Sequence, residues 1–180
     1  MNTPLQVYVS QFRSMNCNKN KGKIAPHKGI MLLAVMECIA NGSITNGFVP
    51  HNEMMVRNFE RLWGQYVGHS LYFNPMFATP FFHLGSEPFW KLMKSDEYEL
   101  HKEYSLVALR KCFYGAKIED DLWEYMMNVT SRKLLVRAIL EKFGFDSVHD
   151  NSQSMADESY DKGDNSHEVT DILFRYMPCA

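Results

Sequence analysis

The stretch from Ile30 to Ile39 (I-M-L-L-A-V-M-E-C-I) is apolar almost all the way round a helix, with Glu37 its only charge. A helix with one apolar stripe can lie on a surface, but a helix apolar on every side must be enclosed. This segment is therefore expected to be the central helix of a core, with the other elements arranged round it. Pro26 stands where such a helix would open. Asn41-Gly42 stands where it would end, the glycine being suited to a left-handed cap. At 180 residues the chain is long enough for one sizeable core plus a tail.

Apolar spacing and cap residues place the rest. Thr3 is expected to cap a first helix with Pro4 at its first position, since Leu5, Tyr8, Val9 and Phe12 follow at helical intervals. Asn52 opens a third helix with Met55, Phe59, Leu62, Trp63 and Tyr66 on one face. Ser105 opens a short helix through Arg110, and two more helices run over Glu119–Met127 and Ser131–Phe143, closed by Gly144. Ser43–Pro50 reads as a small hairpin turning at Asn46-Gly47. Phe81–Leu84 and Phe89–Leu92 read as two short strands joined through residues 85–88. Residues 16–23 and 69–80 read as loops. The expected fold is α+β, a mainly helical single domain over residues 1–145 with a small antiparallel sheet. Residues 146–180 are expected to be an acidic flexible tail with a short helix over 165–177, because their composition cannot bury enough apolar surface to offset ordering.

The formal net charge is -2, but the charges are unevenly placed. Eight acids and two bases fall in residues 146–180, which leaves about +4 on residues 1–145. Arg13, Lys19, Lys21, Lys23 and Lys28 precede the first carboxylate, Glu37. A cluster of one sign keeps its field and attracts polyanions, nucleic acid first among them.

Other classes find no support. Cys17, Cys38, Cys112 and Cys179 form no C-x-x-C pair, and no secretory pattern or membrane-length apolar run appears, so a reduced, cytoplasmic protein with no membrane partner is expected. The seven histidines include no H-x-x-x-H or H-E-x-x-H, so no metal site is expected. No phosphate-binding loop, dinucleotide fingerprint or nucleophile elbow is present. The expectation is a binding protein without cofactor or catalytic residues, not an enzyme.

Two segments carry candidate chemistry. At Pro26-His27-Lys28, the unpaired N–H groups of a helix start, its dipole and two side-chain donors together would make an anion site. The alternative is that His27 and Lys28 are simply the exposed first turn. Lys19, Lys21 and Lys23, just upstream, are either a solvated loop or contacts to flanking phosphates. The aromatic run from Tyr72 to Leu84 is either plain core or the wall of an apolar dimple at Pro80, which would suit a soft, weakly hydrated atom.

The segment A-P-H-K-G-I-M-L-L (residues 25–33) resembles the A-P-H-K/R-P-x-L-L-L signature in the amino-terminal domains of HNH restriction endonucleases. Asn74-Pro75 followed by Pro80-Phe81-Phe82-His83-Leu84 resembles their N-P-x-x-P-F-F/W-x-L segment, with a longer loop between. Phe89–Leu92, Ser105–Arg110 and Ile118–Trp123 follow in the family's order, so the resemblance spans residues 3–145. In McrA-like members this domain is a sulfur-binding domain that reads phosphorothioate-modified double-stranded DNA. The resemblance implies that His27 and Lys28 face the DNA, that Pro80 lines a sulfur pocket, and that Arg110 reaches the backbone. It also implies a place in restriction or phage defence, either as a stand-alone reader or with the nuclease on a partner subunit. Thr79 stands where the family has tyrosine. His83 stands where a small alanine is usual, and would either fill the pocket or donate to a phosphate oxygen. Gly29 replaces a common proline, a change expected to matter little physically. The alternative function is a protein-interaction module of a defence system whose acidic tail masks the basic surface.

Overall fold

A computed structural model describes residues 3–96 and 105–145. The tail and its expected helix over 165–177 lie outside the described residues. The central helix is α2 (His27–Ala40), and Ile30 to Val35 are each at most 1 % exposed. Round it stand α3 (Glu53–Tyr66), α4 (Ala78–His83), α6 (Asp120–Met127) and α7 (Val129–Phe143), while α1 (Leu5–Ser14) packs along α7. A helix enclosed this way has no face left for water, which is what its all-round apolar sequence requires.

Several caps follow from sequence. The Asn52 side chain accepts from the Met55 N–H, and all five apolar residues expected on one face of α3 are buried. Ser105 accepts from the Ala108 N–H to open α5 (Leu106–Cys112). Gly144 closes α7 in the left-handed conformation (φ 66°). At the other end of α7, Asn128 caps the helix, so it begins two residues before the expected Ser131. Thr3 is not a cap: Pro4 takes that position without a side-chain bond. Thr3 is instead tied to α6, its N–H donating to Asp121 at 2.6 Å and its carbonyl accepting from Tyr125 at 3.2 Å.

The sheet departs from expectation. Three antiparallel strands lie in the order β3 (Phe48–Val49), β5 (Phe113–Ile118), β4 (Trp90–Lys94). The central strand, β5, has no counterpart among the elements expected from sequence. Residues 43–50 do not fold back on themselves, because Ile44 is tied by its N–H to the Cys38 carbonyl at the end of α2. The Asn46 side chain accepts from Phe48, and β3 then pairs with β5, Phe48 opposite Lys117. Phe81–Leu84 is not a strand but the end of α4 running into a 3-10 turn at Leu84–Ser86. Pro80 in the first turn of α4 has no N–H to waste there, and its fixed φ suits a helix. The sheet remains small and the helices dominate, so the fold is mainly helical α+β as expected.

Residues 16–23 also contain structure. Strands β1 (Lys19–Asn20) and β2 (Lys23–Ile24) form a short antiparallel hairpin. Its turn residues, Lys21 (φ 48°) and Gly22 (φ 81°), are both left-handed, the geometry that matches strand twist in a two-residue hairpin.

Candidate nucleic-acid interface

The hairpin begins and ends at one cavity. Asn18 and Ala25, joined by a backbone hydrogen bond of 2.8 Å, flank it, and both line a cavity of about 250 Å³. The first turn of α2 contributes His27 and Lys28 to the same cavity, and α4 contributes Thr79, Pro80 and His83. Two segments about fifty residues apart in the chain therefore meet. Thr79 and His83 are four residues apart and share one face of α4, whereas Phe81 and Leu84 turn into the core.

The first turn of α2 is largely enclosed, with Lys28 and Gly29 both buried. Pro26 occupies the cap position, no side chain caps the turn, and no acid lies in it. Its first-turn N–H groups therefore lack partners within the helix. Pro26 is buried and lies beside this cavity rather than on its wall.

His27 is half-buried between Trp63 (4.7 Å between ring centroids) and Phe73 (5.8 Å). Its Nε2 lies 2.8 Å from the Asn74 carbonyl, so Nε2 carries the proton and donates. Burial lowers its pKa below the ordinary imidazole value, opposed by the bond to Asn74. His83 is also shifted downward, by burial and by the charge of Lys28. Both rings are thus neutral near pH 7 and carry one N–H each, that of His27 already donated to the Asn74 carbonyl.

Lys28 is not the free cation its sequence neighbourhood suggests. Its Nζ lies 2.5 Å from Glu87 and 3.5 Å from Ser86, with the Lys28 and Glu87 side chains 9 % and 13 % exposed. Arg110 is likewise engaged, 2.8 Å from Glu53 and bonded to the His51 carbonyl, and does not line the cavity. Lys19, Lys21 and Lys23 are exposed on the hairpin. Lys21 and Lys23 stand 5.9 and 4.8 Å from the Tyr72 ring centre, and Asn20 donates to the Tyr72 carbonyl at 3.1 Å.

Sequence reasoning missed Asn16, Cys17, Ala25, Phe73 and Ser86, which complete the wall, and Glu87, which holds Lys28. The polar run before the hairpin was visible, but nothing local joins Lys28 to a carboxylate 59 residues away. Burial raises the Cys17 thiol pKa, so it faces the cavity as a neutral, soft group. Among the described residues, no three His, Cys, Asp or Glu side chains gather where they would hold a metal, and no helix is long and apolar enough to cross a membrane.

No protein-family model matches the chain, and no curated protein matches it in sequence.

Proposed function

We propose that this protein is a DNA-binding module that captures one backbone phosphate of a duplex, with a phosphorothioate as the preferred form. The observation that carries this reading is the convergence of His27 and Lys28 with Thr79, Pro80 and His83 on one cavity, with three exposed lysines on the hairpin between Asn18 and Ala25 of its wall. The helix start supplies N–H donors for anionic oxygen. Pro80, Ala25, Phe73 and Cys17 supply an apolar, polarisable wall. An ordinary phosphate oxygen loses hydration against such a wall with no hydrogen bond in return, whereas sulfur is weakly hydrated and loses less. Because Glu87 already answers Lys28, selectivity rests on the wall more than on net charge.

The lysines of the hairpin would neutralise neighbouring phosphates and position the duplex without reading its sequence. In this reading the module is a reader rather than an enzyme. It acts in the cytoplasm, where the free thiols of Cys17, Cys38 and Cys112 stay reduced, and it serves restriction or phage defence, alone or together with a nuclease. The test is fluorescence anisotropy on two matched duplexes, one ordinary and one with a single Rp phosphorothioate, at two salt concentrations. Tighter binding to the sulfur duplex at both salts supports the reading. Equal, salt-sensitive binding leaves a general DNA binder, and no binding removes DNA altogether.

The second reading, a protein-interaction module masked by its acidic tail, draws on the carboxylate partners of Lys28 and Arg110. Two of the cations expected to meet DNA are already answered within the fold.

A further inference from the structure

A second concavity adjoins the phosphate cavity, and Phe73 lines both. It is a groove of about 580 Å³, a size within the roughly 300–1,000 Å³ of small-molecule sites. Lys23 and Pro26 form one side, the loop from His69 to Phe73 the second, and Lys142 to Phe145 at the end of α7 the third. Its walls are aromatic, with Tyr66, Tyr72, Phe143 and Phe145 beside Phe73. Its cations lie against rings: Lys23 is 4.8 Å from Tyr72, and Lys142 is 5.7 Å from Phe143.

Leu71 lines this groove and is 94 % exposed. The loop that carries it is fastened on both sides. Ser70 accepts from the Tyr72 and Phe73 N–H groups, Asn20 donates to the Tyr72 carbonyl, and His27 donates to the Asn74 carbonyl. Leucine is thus held out in water by a fixed frame, next to lysines, where burial would favour it.

We propose that this groove receives an unstacked nucleobase from the nucleotide adjoining the held phosphate, while Leu71 fills the gap left in the stack. The proposal rests on the DNA reading above and extends it to a second site with a different ligand group. A nucleotide combines a planar π-face with a neighbouring negative charge. Aromatic walls stack on the first, and the two lysines answer the second. Apolar side chains that enter a duplex commonly wedge open a single base step, and a base that leaves the stack needs a pocket within reach of its own phosphate. Phe73 as a shared wall supplies that proximity.

The test uses the full-length protein and anisotropy. A series of duplexes carries one fixed phosphorothioate and a single mismatch moved one position at a time. The affinity is expected to rise about tenfold when the mismatch adjoins the modified phosphate, because less pairing must be broken there. It should stay level at distant positions. Leu71→Ala, whose side chain meets solvent and adds little to the fold, should weaken binding to the fully paired duplex by about tenfold and leave the sulfur-to-oxygen preference unchanged. Affinity that ignores mismatch position, with sulfur preference intact, overturns the base groove and leaves the backbone reading standing. Failure to bind any duplex removes both.

Discussion

A methyl group on Gly29 would fall 2.5 Å from Phe143 Cε2 and 2.6 Å from Cδ2, so the Phe143 ring occupies the space of the missing side chain. The glycine that reads as physically neutral in the sequence is what allows the end of α7 to close over the first turn of α2. Gly29→Ala should therefore lower stability by about 1–3 kcal/mol through overpacking. The half-buried ring is expected to swing aside and widen the aromatic groove. Thermal unfolding of the variant and near-ultraviolet dichroism of its aromatics check both effects.

The Lys28–Glu87 pair changes how the cavity beside Pro80 must be tested. Lys28→Glu would set two nearly buried carboxylates face to face and damage the fold as well as any site. Glu87→Leu alone strands a buried ammonium and should cost about 3–5 kcal/mol. The double variant Lys28→Met with Glu87→Leu should recover most of that loss, since apolar replacements of a buried pair are often neutral or better. It should still bind DNA poorly. Denaturant titrations of the three variants, alongside anisotropy on the folded double variant, separate folding from recognition.

The hairpin lysines are exposed, so replacing them leaves the core untouched. Lys19, Lys21 and Lys23 changed together to glutamine should leave the melting temperature nearly unaltered. The slope of log affinity against log salt should become shallower by about 0.9 for each phosphate no longer neutralised. An unchanged slope would place the duplex elsewhere. Arg110→Ala, outside the cavity wall and paired with Glu53, should leave DNA affinity as it is.

Acid should destabilise the protein through His27. Its folded pKa lies below the ordinary value of 6.5 because it is buried. Above about pH 6.5 the ring is neutral in both the folded and unfolded chains, and its full contribution is present. As the pH falls toward the lower folded value, the unfolded chain takes up the proton first and stability is lost. His83 acts in the same direction. Urea titrations between pH 7.5 and 5 should show the decline, and His27→Gln should flatten it. DNA affinity should move the opposite way, rising on acidification if a phosphate faces His83 and drawing a proton onto it. A flat affinity would mean that His83 only fills the cavity.

Removing residues 147–180 tests the acidic tail. Tighter DNA binding by the shortened protein is the outcome expected if the seven acids removed compete with phosphate for the lysines, and the gain should shrink at high salt. No change would leave the tail without a masking role.

The helices were largely legible because a helix writes its pattern locally. All-round apolarity marked α2, five apolar residues on one face marked α3, and Asn52, Ser105 and Gly144 announced their ends within four residues. Strand β5 was hidden because its logic is not local. Gly115 sits in its middle, and a methyl there would meet Phe48 at 2.4 Å and the Val49 carbonyl at 2.7 Å. A glycine read alone suggests a break; read beside Phe48 it is the condition for pairing. The same holds for α4, where Pro80 looked like a loop residue and proved to be a helix first turn.

The sequence by itself determined the central helix, the helical character of the fold, the run of early cations, and the residue types at Pro26-His27-Lys28 and Thr79-Pro80. Tertiary structure alone decided which charges stay available. Lys28 and Arg110 found carboxylates 59 and 57 residues away, while the hairpin lysines did not pair with any carboxylate among the described residues. The physical reason is that Coulomb energy depends on distance and burial, and neither is set until segments far apart in the chain have packed together.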